Sequence, residues 1–66
     1  MSYLDGMIPL LSSWLAAAGY YRDTLRVVLH NGQVYDHPHV PHELFQGLIY
    51  AESPGAFYNE HIRGQF

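Results

Sequence analysis

The clearest pattern along the chain is a period of two. In Thr24-Leu25-Arg26-Val27-Val28-Leu29-His30, residues Leu25, Val27 and Leu29 fall on one face, the mark of a half-buried β-strand. Asn31-Gly32 follows, the strongest short hairpin signal, and Gln33-Val34-Tyr35-Asp36-His37 reads as the return strand, stopped by Pro38. Two registers compete. A two-residue type I′ turn pairs Leu29 with Val34 and Val27 with Asp36, which turns a carboxylate onto the core face. A three-residue loop, type I with Gly32 in a G1 bulge, sets Leu29 opposite Gln33, Val28 opposite Val34, Val27 opposite Tyr35 and Arg26 opposite Asp36. Burying an unpaired carboxylate costs roughly several kcal/mol, whereas the cross-strand pairs of the second register each contribute about 0.2–1 kcal/mol. The bulged register is predicted.

Upstream, Ser12-Ser13-Trp14-Leu15-Ala16-Ala17-Ala18-Gly19-Tyr20 is ambiguous. Serines that can cap and three alanines favour a helix, but Gly19 ends it after barely two turns and the neighbouring segment is a strand. Periodicity leaves helix and strand evenly matched there. Tyr21-Arg22-Asp23 reads as a turn, and Met1 to Gly6 as a loose leader. Downstream the period changes. After Val40-Pro41, residues Leu44, Phe45, Leu48 and Ala51 recur at spacings of three and four, one apolar stripe on a helix with Pro41 in its first turn. Ser53-Pro54 opens a second short helix, with Phe57, Tyr58 and Ile62 on its buried side and Gly64 at its end.

Composition narrows the class. The 66 residues suffice for one domain with a thin stability margin, and with no cysteine there is neither a disulfide framework nor a thiolate zinc site. Apolar residues make up 48% and aromatics 15%, which argues against disorder. Charged residues are 14%, well under a typical ~25%, so the surface favours self-association or a protein partner. The net charge is −3, with Arg22, Arg26 and Arg63 the strong cations and no lysine. Three arginines cannot build the broad basic face that tight nucleic-acid binding needs; stacking on aromatics leaves only a weak single-strand mode. The apolar stretch Met7-Ile8-Pro9-Leu10-Leu11 is too short to span a membrane and no basic segment precedes it, so the expected location is cytoplasmic.

These elements, in this order, resemble the KTSC domain, a small family named for its occurrence at the C-terminus of some lysyl-tRNA synthetases and frequent as stand-alone bacterial and phage proteins. The resemblance is carried by Ser12-Ser13, Gly19-Tyr20, Leu25-Arg26-Val27-Val28-Leu29, Gly32-Gln33-Val34-Tyr35-Asp36-His37 and Val40-Pro41. It continues through Ala51-Glu52-Ser53-Pro54-Gly55-Ala56-Phe57-Tyr58-Asn59 and Ile62-Arg63, covering about Ile8 to Phe66. Leu29 stands where the family pattern has Phe, His37 where it has a second Tyr, and Phe57-Tyr58 inverts the usual aromatic pair. The resemblance implies that Ser13 to Tyr20 is a strand. It implies an α+β fold: a three-stranded antiparallel β-meander followed by two short helices packed on one face. The domain is then 8–66, behind a flexible leader 1–7. It implies no catalytic residues.

The candidate chemistry is sparse. His37-Pro38-His39-Val40-Pro41-His42 places three imidazoles in six residues, making His37, His39 and His42 the only metal candidates, but no cysteine or carboxylate completes a set. A site for a functional metal or a cofactor is therefore not expected. Ser12, Ser13, His61 and Asp36 lack the frame of a nucleophilic triad, the serines being more simply read as bonding an early strand. Glu52 and Glu60 read as solvated positions. Within the cluster Ser53, Gly55, Asn59 and Arg63, the last two lie four residues apart on one helical face. Arg63 there suits a carboxylate or phosphate, or else the pair ties the second helix to the sheet or caps the first helix, the reading favoured here. The candidate binding surface is Arg26, Tyr35, His37, Asn59 and Arg63. The expected function is a non-catalytic protein–protein interaction module with a capacity to self-associate, encoded by a phage as a minor virion component or an inhibitor of a host system. The alternative is a weak single-stranded nucleic-acid or nucleotide-binding domain.

Overall fold

The computed structural model describes residues 6–66. Its elements, in chain order, are β1 (Ile8–Pro9), β2 (Leu15–Tyr21), β3 (Thr24–Leu29), β4 (Val34–His37), α1 (His42–Tyr50) and α2 (Pro54–His61). The strands form one antiparallel sheet in the order β1-β2-β3-β4, so each strand pairs with its neighbour in sequence. The fold is α+β with both helices on one face, as expected.

The sheet has four strands rather than three. The addition is β1, in which Ile8 pairs with Ala18 and Pro9 with Ala17. Two residues, one of them a proline without an N–H, carry no readable alternation, and a proline is tolerated here because this strand is an edge. Met1 to Asp5, most of the expected leader, lie outside the described residues. Met7 lays its sulfur over Gly19, where a Cβ would collide with it.

The ambiguous segment is strand. The Ser12 hydroxyl accepts from the backbone N–H groups of Trp14 (3.2 Å) and Leu15 (3.1 Å), which turns the chain into β2. A bulge between Leu15 and Ala17 then keeps Leu15, Ala18 and Tyr20 facing inward. At the central hairpin the bulged register holds: Arg26 pairs with Asp36, Val27 with Tyr35 and Val28 with Val34. Gly32 donates to the Leu29 carbonyl (2.9 Å), Leu29 donates to the Gln33 carbonyl (2.8 Å), and Gly32 has a φ of 92°, the left-handed geometry a G1 bulge requires.

The core lies between the sheet and the helices. Leu15, Ala18, Leu25 and Val27 from the sheet meet Phe45 and Leu48 of α1, Tyr58 of α2, and Leu10, Val40 and Ile62. Pro41 stands at the N-cap of α1, and α2 starts as predicted, with the Ser53 hydroxyl accepting from the Ala56 N–H (3.4 Å) and Pro54 in the first turn. Gly55 brings α2 against the Trp14 indole so closely that a Cβ would strike Nε1. Trp14 in turn meets the Tyr58 ring edge-on at 5.6 Å. Among the described residues, no helix is long and apolar enough to cross a membrane.

Candidate functional site

The alternation that buries Leu25 and Val27 sends Gly19, Arg26, Val28, Val34 and Asp36 to the opposite face of the sheet, away from α1 and α2. Arg26 there grips Asp36 with two bonds, Nε to Oδ1 at 2.7 Å and Nη2 to Oδ2 at 2.8 Å. This fork holds the Asp36 carboxyl below its usual pKa and raises that of Arg26. Both side chains remain open to solvent, at 44% and 45% exposure.

Beside the pair runs an open trough of about 650 Å³, bounded by Met7, Gly19, Tyr21, Arg22, Arg26 and Asp36 among others. Its rim is the β2–β3 turn. Arg22 (φ 48°) and Asp23 (φ 62°) both take left-handed backbone, the geometry of a type I′ turn normally given to Asn and Gly. The Arg22 guanidinium lies 5.1 Å from the centre of the Tyr21 ring, a cation–π contact. The turn is braced from below. Val40 donates to the Asp23 carbonyl (2.9 Å), and the Tyr20 hydroxyl bonds the Val40 carbonyl. His39, also left-handed at φ 62°, sits in the loop that supplies Val40. All non-glycine residues of positive φ among the described residues thus gather at this end of the sheet. The sequence places a turn at Tyr21-Arg22-Asp23 but not its left-handed backbone, because Arg-Asp is not a type I′ pair, and the trough depends on Met7 crossing Gly19.

The five expected surface residues do not form one site. Arg26 faces the trough. Tyr35 lies on the other face, 43% exposed, with its hydroxyl donating to Gln33 Oε1 (2.9 Å). His37 is half-buried: its Nε2 meets the Tyr58 hydroxyl at 2.6 Å and its Nδ1 lies 3.4 Å from the Phe66 carbonyl. Donation by Tyr58 to Nε2 leaves the proton on Nδ1, aimed at Phe66, so the ring ties β4 to α2 and to the last residue. Burial pushes the Tyr58 phenol above its ordinary pKa. The side chains of Asn59 in α2 and Arg63 just past its end bond each other, Nη1 to Oδ1 at 3.3 Å, and have no other side-chain hydrogen bond among the described residues. They neither tie the helix to the sheet nor cap α1, which ends with the Ala51 N–H on the Leu48 carbonyl. Ser53 and Gly55, grouped with them in sequence, serve as N-cap and packing position.

The histidines also part. While His37 bonds Tyr58, His42 packs against the Tyr20 ring (5.0 Å) and Phe45 (5.8 Å), and His39 is exposed. Among the described residues no three His, Asp or Glu side chains come together around a common point that would hold an ion.

Comparison with known families matches residues 11–66 to the model of the KTSC domain. The chain belongs to the KTSC domain family. That match spans everything from the start of the serine turn to the last residue, so the hairpin, the trough and the His37 tether all lie in or against the KTSC unit. No curated protein matches the chain.

Proposed function

We propose that this KTSC domain is a non-catalytic protein-interaction module, working in the cytoplasm, where a phage-encoded copy would act as a minor virion component or as an inhibitor of a host system. The observation that carries this reading is the half-covered sheet. Two helices cover one face, while the other presents Met7, Tyr21, Arg22 and Arg26 around an open trough. Tyr, Arg and Met are the residue types that concentrate binding energy at protein interfaces, and a stacked Arg22 loses little freedom when it docks. Two groups that could carry chemistry are engaged elsewhere: the Ser12 hydroxyl holds backbone N–H groups and His37 holds Tyr58.

Mass in solution, measured with and without a short single-stranded RNA at physiological salt, tests the reading. A chain that self-associates or takes a protein partner, and ignores RNA, supports it. A strict monomer that shifts the RNA would sink it in favour of nucleic-acid binding.

A further inference from the structure

We infer that the protein partner of this domain is a second copy of itself, joined through the β4 edge into a closed two-fold dimer. The inference rests on the interaction-module reading above and names its partner.

The ladder sets which backbone groups are free. Leu29 and Gln33 form a hydrogen-bonded pair, with the Leu29 N–H on the Gln33 carbonyl at 2.8 Å. In an antiparallel pair such positions alternate. Val27–Tyr35 and Leu25–His37 are therefore bonded pairs, and Val28–Val34 and Arg26–Asp36 are not. The N–H and C=O of Val34 and of Asp36 consequently point out of the sheet, and among the described residues no loop or side-chain hydrogen bond satisfies them. Pairing with a strand is the general way in which such an edge is completed.

Register selects the partner. With the two-fold axis between the two Tyr35 residues, Val34 faces the partner's Asp36 and Asp36 faces the partner's Val34, so every outward group of both edges is used. Moving the axis one residue toward the C-terminus sets Val34 against the partner's Pro38, which has no N–H. Moving it the other way sets Asp36 against the partner's Gly32, inside the bulged turn at φ 92°. One register alone uses all the groups, and it is self-complementary.

The side chains agree with it. Tyr35 is 43% exposed on the helix-covered face, and the axis brings two such rings together at a non-hydrogen-bonded position, where side chains approach most closely. On the other face each Asp36 is already neutralised by its own Arg26, so no free carboxylates meet across the seam. The chain has no lysine, the usual guard of an open edge. Joining β4 to β4 leaves the Pro9-bearing β1 at both ends of the double sheet, which closes the assembly at two copies.

Sedimentation over a concentration series, combined with amide exchange, tests the dimer. The expected species is twice the 7.6 kDa chain, and Val34 and Asp36 amides exchange slowly when concentrated and quickly on dilution. Tyr35→Lys, which sets like charges face to face, raises the dimer dissociation constant at least about tenfold with unchanged far-UV dichroism. Should that variant unfold, the exchange of the two amides in the native chain decides alone. A native chain that stays monomeric at sub-millimolar concentration overturns the inference. So does a dimer that leaves both amides unprotected, although the interaction-module reading then survives. Only a monomer that binds RNA removes both.

Discussion

Asp36 and Arg26 meet in the open, and solvent decides how much their bond is worth. Exposed pairs contribute little because water and salt screen them, so Asp36→Asn lowers the melting temperature only slightly at pH 7. The carboxyl pKa is depressed in the fold, so its contribution is present above the unfolded value near 3.8 and is lost as pH falls through the folded one. Melts followed by circular dichroism are therefore expected to converge for native and variant chains in acid. Tyr58 behaves in the opposite sense. Its phenol is raised by burial, so the stability it confers is complete below the unfolded pKa of about 10 and is lost as pH climbs through the raised value. Tyr58→Phe costs about 1 kcal/mol at neutral pH by removing the bond to His37, and it flattens the alkaline limb of a denaturation series. Gly55→Ala drives a methyl group into the Trp14 indole and costs about 1–3 kcal/mol in urea unfolding. Of these residues only the Arg26–Asp36 pair was legible beforehand, because it follows from register. The His37–Tyr58 bond joins positions 21 apart, and Gly55 answers to a ring on β2's entry; no local pattern records such meetings.

Among the elements, the β2–β3 turn carries a conformational cost. Two non-glycine residues in left-handed backbone cost about 1–2 kcal/mol each, less for Asp than for Arg, and the surrounding bonds from Val40 and Tyr20 hold them there. Arg22→Asn, a residue that tolerates this geometry, is expected to raise the melting temperature by a few degrees while weakening attachment of any partner held by the Arg22–Tyr21 stack. Higher stability with full partner binding would place the interface away from the turn. The central hairpin, both helices and the Ser53-Pro54 start were readable because each rests on chemistry within a few residues. The Ser12–Tyr20 segment was readable as strand only through the KTSC resemblance, since alanines suit either conformation and sheet pairing on both sides makes it β2. β1 and the αL turn are likewise products of neighbours rather than of their own residues.

At the scale of the molecule, the sequence indicated one sheet face under two helices, but not what the other face and the edges present to solvent. Charge content pointed toward a partner without locating it, because Tyr21 and Val34 lie on the face the helices leave open while Tyr35 is exposed on the face they cover. The strand order β1-β2-β3-β4 bears on something else: how the chain finds this arrangement. Every sheet contact closes a short loop, so little chain entropy is lost before pairing begins, and a domain of this size and topology folds in roughly milliseconds. The β2–β3–β4 meander can form before α2 docks, which makes it the expected nucleus. Val27→Ala should then slow refolding in stopped-flow mixing, whereas Ile62→Val should mainly hasten unfolding. During refolding the three-stranded meander would accordingly stand in place while the last helix is still finding its face.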